Sequence, residues 1–284
     1  MSEIRKVFTS RWPEGQLLEL DFSQLEIYAL AYLSGDSTLK SDLLSGQDLH
    51  GISATLLFGR SYTPEQRKIA KQLSFQLQYG AGCKSMADRN DISEELAKTF
   101  IDNYYTRYHE VKAWHDSILV GVPTFRKSSE YRTKTGRPAG VAKWESLTGR
   151  QYTFIEEDSP SWMQKSWSTG TSSPTSFSPT KLKNYPVQGF ATGDIVPMVL
   201  GKLYRTLKSL PKYDGSIKMV NTVHDSVLFD CEDKEWAMLW AFTAKATMEQ
   251  APLFLKEIFD IDFDLPLPVE ISVGSDWHDM KQLT

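Results

Sequence analysis

Leu17-Leu18-Glu19-Leu20-Asp21-Phe22-Ser23-Gln24-Leu25-Glu26 is a short apolar run that ends on an aspartate and passes straight into helical spacing. Gly15 bounds the run, which reads as a β-strand. Leu25, Tyr28, Ala29 and Tyr32 then recur on one helical face, up to Ser34-Gly35-Asp36. About two hundred residues later, segments 217–223 and 227–231 read as two strands joined by a tight turn at His224-Asp225. A second aspartate therefore closes a second apolar strand. Carboxylates brought together this way can hold a pair of divalent metals about 3.5–4 Å apart. Taken singly, Asp21 is equally a turn residue after a strand, and Asp225 a hairpin tip.

Between them, Thr63-Pro64-Glu65-Gln66 marks a helix start, with Thr as N-cap, Pro in the first turn and Gln three residues after the cap. The helix is predicted to reach Tyr79 and to stop at Gly80-Ala81-Gly82. A step of four residues turns by about 40°, so Arg67, Lys71, Phe75 and Tyr79 share one stripe about 120° wide. Ile69, Leu73 and Leu77 form a second stripe about 200° away, which suits a core. The first stripe suits a triphosphate beside a base and sugar. An amphipathic helix with snorkelling cations is the plainer account.

The 284 residues suffice for one large domain or two smaller ones, and 40% hydrophobic with 24% charged content is ordinary for a soluble globular chain. No apolar run reaches the roughly 18 residues of a membrane span. Met1-Ser2-Glu3-Ile4-Arg5-Lys6 lacks a signal-peptide core. Cys83 and Cys231 have no metal-ligand spacing, which argues against zinc and disulfides and for a cytoplasmic protein (host cytoplasm if viral). The net charge of -4 speaks mildly against nucleic acid, yet cations gather at 67–71, at 126–137 and at Lys181 and Lys183. Further helices are predicted over 93–119, 191–210 and 234–259, and a last strand over 268–273. Residues 126–180, rich in Ser, Thr, Gly and Pro, read as an irregular excursion with one hairpin around 144–152.

Asp21-Phe-Ser-Gln-Leu-Glu26, Arg67 to Gly80 and Val223-His-Asp225 resemble motifs A, B and C of the family A DNA polymerases, the DNA polymerase I class and its phage relatives. Asp48-Leu-His50-Gly, Asn184-Tyr-Pro-Val-Gln188-Gly-Phe-Ala and Val269-Glu-Ile-Ser-Val-Gly add to the resemblance, which spans nearly the whole chain. It implies an α+β fold: a palm, an antiparallel sheet with flanking helices, interrupted by helical fingers. Palm would be 1–27 and 183–284, and fingers 28–182, including 126–180. Asp21 and Asp225 would be catalytic and would bind two Mg²⁺ ions. Gln24, Glu26, His50, Arg67, Lys71, Phe75 and Tyr79 would bind the dNTP, with Lys71 also a proton donor to pyrophosphate. Asn184, Gln188 and His224 would contact primer-template DNA.

Glu26 resembles the steric gate that excludes ribonucleotides, and Phe75 matches a position where phenylalanine, unlike tyrosine, discriminates against dideoxynucleotides. The chain departs from the family at Tyr28, usually arginine; at Ser74 and Gln76 around Phe75, usually asparagine and glycine; and at Ser226, usually glutamate. Motif A begins about twenty residues from Met1, with no recognisable thumb or exonuclease before it. The expectation is the C-terminal half of a split phage replicative polymerase, paired with a second polypeptide carrying thumb and 3′–5′ exonuclease. No membrane partner is expected. Alternatives are a catalytically impaired DNA-binding or assembly subunit, against which the intact acids and cations argue, and a single-subunit RNA polymerase relative, against which Glu26 argues.

Overall fold

The computed structural model describes residues 3–160, 173–210 and 215–283. A 3₁₀ turn (Glu3–Val7) precedes β1 (Gln16–Phe22), α1 (Leu25–Ser34), α2 (Ser37–Leu44), α3 (Leu49–Phe58) and α4 (Pro64–Gln78). Then come α5 (Cys83–Asn90), α6 (Glu94–Arg107), α7 (His109–Thr124), β2 (Lys127–Arg132), β3 (Pro138–Glu145), β4 (Gln151–Ile155), β5 (Glu157–Asp158) and β6 (Thr175–Ser176). The chain continues through α8 (Pro179–Gln188), a π-turn (Gly189–Ile195), α9 (Val196–Lys208), β7 (Ile217–Val223) and β8 (Ser226–Cys231). It closes with α10 (Lys234–Glu249), α11 (Ala251–Phe259), β9 (Val269–Gly274) and β10 (Lys281–Leu283). Two compact units result: Met1–Ala29 with Gly189–Thr284, and Leu30–Gln188.

The first unit is built on an antiparallel sheet of order β10-β9-β1-β8-β7. Alternation along β1 sends Leu18, Leu20 and Phe22 to one face and Leu17, Glu19 and Asp21 to the other. Helix α10 packs against β1 and β9. Its Ala237, Ala241 and Ala244 are fully buried, and their small side chains let the helix lie close while Trp240 meets Phe229 edge-on at 5.4 Å. Full burial of Leu18 and Leu20 contributes about 1.5–3 kcal/mol each.

In the second unit, the capping box expected at Thr63 is formed: its hydroxyl accepts from Gln66 N, and the Gln66 side chain accepts from Thr63 N. Helix α4 buries Leu73 and Leu77 and leaves Lys71 and Tyr79 exposed, as the two stripes require. The excursion is more ordered than its composition suggests. Its β2-β3-β4 sheet buries Ala142 and Phe154 against Ile118, Val122 and Leu182, with Trp144 and Tyr152 alongside. Two turns of one design make this possible, Thr133-Lys-Thr-Gly-Arg137 and Ser146-Leu-Thr-Gly-Arg150. In each, the first residue's N–H donates to the arginine carbonyl at 2.9 Å, and the glycine takes a positive φ, 83° and 79°. The Ser/Thr-rich stretch 161–172 lies outside the described residues.

Three predicted helices are divided or extended. Tyr108 leaves helical geometry (φ -108°, ψ 67°) and splits 93–119 into α6 and α7. Pro252, which lacks an N–H, opens α11 after Gln250 and splits 234–259. The helix predicted from 191 starts instead at Pro179, carries Pro186 internally, and passes through the π-turn into α9. Strand β10 was not expected.

Candidate active site

In the first unit, register places the acids. Asp21 lies opposite Ser226 on β8 and Glu270 on β9, so Asp225, one residue before Ser226, sits at the adjoining turn. Phe22 N donates to the Asp225 carbonyl at 3.4 Å, fixing the turn to the end of β1. Both aspartates are followed or preceded by a non-glycine residue in left-handed geometry: Gln24 (φ 60°) and His224 (φ 55°). Each such residue costs about 1 kcal/mol, strain that concentrates at functional sites. Gln24 uses the geometry to start α1, its carbonyl accepting from Ile27 N at 2.9 Å and Tyr28 N at 3.2 Å.

Asp21 keeps an open side to solvent, yet the protein packed around the strand end is enough to disfavour its charge. That burial, then the negative charges of Asp225, Glu19 and Glu270, raise its pKa to about 7. Asp225 is also raised, first by burial and further by Glu26, with a bond to its own backbone and the charge of His224 opposing. The structure thus groups Glu26 with Asp225, as well as Asp21 with Asp225. Glu19 and Glu270 were not singled out in the sequence. The signal for Glu19 was its place two residues before Asp21 on an alternating strand, hence on the same face. Glu19 accepts from Trp277 Nε1 at 3.1 Å and from Ser226 Oγ at 3.3 Å, and Glu270 accepts from Ser23 Oγ at 3.0 Å.

A crowd of oxygens whose charges oppose one another is a donor set that a hard cation would relieve. Among the described residues no group of three or more acidic, His or Cys side chains is spaced to enclose an ion. Mg²⁺ would suit such a set, since it takes one or two carboxylates and completes its shell with water and substrate phosphates. Asp21 and Asp225 are the residues that would hold it.

The second unit gathers His50, Arg67, Lys71 and Phe75. The His50 and Phe75 rings lie 5.5 Å apart, and Lys71 Nζ sits 5.7 Å from the Phe75 ring. Burial, then Lys71, lowers the His50 pKa, which keeps the ring neutral near pH 7, and its buried Nδ1 has no hydrogen-bond partner among the described residues. Arg67 forms a two-pronged pair with Asp48, Nε to Oδ2 at 2.8 Å and Nη2 to Oδ1 at 2.7 Å. Asp48 begins α3, and its pKa is lowered first by the bond from Arg67 and further by the Gly51 backbone N–H. Asn184 Nδ2 donates to Gln188 Oε1 at 3.2 Å on α8 in this unit, whereas His224 belongs to the first unit.

The departures have packing roles. Tyr28 is buried in the first unit's core, and that burial raises its pKa. Ser74 Oγ donates to Ala70 O at 2.8 Å and meets Ser53 Oγ at 3.0 Å, joining α4 to α3. Gln76 Oε1 accepts from Asn90 Nδ2 at 3.0 Å, joining α4 to α5.

Residues 1–279 match the family described as DNA polymerase family A. The chain belongs to that family. Over 286 residues it is 29% identical to the thermostable DNA polymerase I of Thermus filiformis, covering 98% of this chain and 29% of that protein. It is 28% identical over 290 residues to DNA polymerase I of Synechocystis sp., covering 98% of this chain and 26% of that one. The chain thus spans less than a third of the length of these family A relatives. A solved structure, the POL domain of Pol1 from M. smegmatis in complex with DNA primer-template and dNTP, shares the fold. Its TM-score is 0.67 at 22% identity, covering 96% of this chain and 42% of that one. Among the described residues, no helix is long and apolar enough to cross a membrane.

Proposed function

We propose that the chain carries the nucleotidyl-transfer site of a DNA-directed DNA polymerase, with the first unit as palm and the second as fingers. The observation that carries this reading is the pairing of β1 with β8, which sets Asp21 beside the Asp225 turn in a crowd of acids. Asp21 and Asp225 would hold Mg²⁺, two ions in the family's pattern, which would lower the pKa of the primer 3′-hydroxyl and steady charge on the phosphate. The 3′-oxygen attacks the dNTP α-phosphorus, and the bond to pyrophosphate breaks. Lys71 and Arg67 bind the triphosphate, Lys71 gives a proton to the departing pyrophosphate, and His50 contacts the phosphates. Phe75 and Tyr79 pack on the nucleoside, Gln24 lies beside it, and Glu26 fills the 2′ space. Asn184, Gln188 and His224 contact the primer-template. Positioning and charge stabilisation supply most of the rate.

Primer extension by wild type and Asp225→Ala tests the reading. The variant should lose roughly 10³-fold in rate while keeping its melting temperature, and retained extension would refute the assignment. Exchanging dNTPs for rNTPs in the same assay, with Glu26→Ala as the relaxed control, decides between DNA and RNA synthesis.

A further inference from the structure

The β2-β3-β4 sheet has a second face that the site described above does not use. Ala142, Trp144, Tyr152 and Phe154 point toward α7 and α8. Alternation sends Val141 and Lys143 of β3 the other way, beside Ile155 and Thr153 of β4, with Lys127 of β2 opposite Val141. A cavity of about 510 Å³ opens here, lined by Thr124, Phe125, Arg126, Lys127, Val141 and Lys143. None of these six is acidic. Arg126 is already engaged, its Nε 2.7 Å from Oε1 of the buried Glu156. Lys127 and Lys143 are exposed and pair with no carboxylate among the described residues, and Glu145, farther along the same face, lies outside the cavity. The Phe125 ring, 57% exposed, stands at the edge.

We infer that this face binds single-stranded DNA, one base stacking on Phe125 while Lys127 and Lys143 hold the flanking phosphates. Uncompensated cations alone would suit any polyanion. An exposed ring at a cavity of nucleotide size adds a demand for an unpaired base, because a duplex keeps its base faces stacked inside. The choice of DNA rests on the proposed polymerase function, whose template is exposed as a single strand ahead of synthesis.

The test is fluorescence anisotropy of the whole chain with a short labelled oligothymidylate, its duplex and an acidic peptide, across a salt series. Lys127→Glu with Lys143→Glu should weaken single-strand binding at least ten-fold and reduce the slope of log affinity against log salt by about 1.4, two phosphate contacts' worth. Phe125→Ala should weaken single-strand binding about ten-fold and leave duplex binding unchanged. Lys127→Gln with Lys143→Gln, read beside a melting curve, serves as the milder pair. Unchanged affinity and slope in the folded lysine variants overturn the inference. So does equal loss of duplex binding with Phe125→Ala silent, or a lysine-dependent preference for the peptide. If wild type fails to extend primers but Lys127, Lys143 and Phe125 still govern single-strand binding, the polymerase reading falls and this one stands. If Asp225→Ala alone abolishes extension and these three govern nothing, the reverse holds.

Discussion

The two units hold their charges in opposite ways. On the β1–β8 end of the first, Asp21, Asp225, Glu19, Glu26 and Glu270 crowd together, and mutual repulsion adds to burial in raising Asp21 to about 7. On α4 of the second, Arg67 already has a carboxylate, Asp48, in a two-pronged pair. An acid cluster whose charges oppose one another would gain by taking up a cation. A cation already balanced keeps its orientation and must share or surrender its partner when an anionic ligand arrives. On the proposed function, the first arrangement would give up stability for affinity, and the second affinity for order.

The largest expected effect tests the first half of that contrast. Asp21→Asn should reduce primer extension roughly 10³-fold. Measured in chelator, the same variant should unfold at higher temperature than wild type, with stability up by about 1 kcal/mol as like charge is removed. A fall in melting temperature would show that the carboxylates do not repel as described.

The second unit also stores an electrostatic conflict, of the other sign and away from α4. His115 is buried; its Nδ1 meets Tyr105 Oη at 3.0 Å, and its Nε2 has no partner among the described residues. Burial, then the charge of Lys183, depress its pKa to about 3, with Asp116 opposing. The unfolded chain takes up the proton near 6.5, so this contribution is complete above that pH and is lost as pH falls toward about 3. Between pH 6.5 and 5 it amounts to about 2 kcal/mol. Denaturant midpoints of wild type and His115→Phe at pH 7 and pH 5 should therefore differ in their pH slope, the variant being flatter. Parallel slopes would place the acid sensitivity elsewhere.

What the sequence disclosed divides along similar lines. Strand alternation and helix caps are local, so β1, the β7–β8 hairpin and the start of α4 could be read directly, along with the two stripes of α4. The Arg67–Asp48 pair spans nineteen positions and depends on how α3 packs on α4, which no spacing rule contains. Glu270 became a neighbour of Asp21 only through strand register, whereas Glu19 shares its face by alternation along β1. Of the β2-β3-β4 sheet only the β3–β4 hairpin was expected, and the rest was hidden for a different reason. Its Ser, Thr and Gly content is loop-like, and the two matching Thr-Gly-Arg turns identify its hairpins only when laid side by side.

The smallest effect sharpens the comparison most, because it separates order from affinity on one pair. The Arg67 side chain is 42% exposed and that of Asp48 48%, so breaking the pair should cost stability no more than about 1 kcal/mol. Arg67→Ala should raise the KM for dNTP about ten-fold, through loss of a charged bond to phosphate. Asp48→Ala should leave that KM unchanged or lower it, because the guanidinium no longer has to leave a carboxylate to meet the triphosphate. Arg67→Lys should restore charge but little affinity, since an ammonium cannot reproduce the two-pronged geometry. If Asp48→Ala instead raises KM as far as Arg67→Ala does, Asp48 is holding Arg67 in its working orientation. The pair would then be part of the nucleotide site rather than a competitor for it.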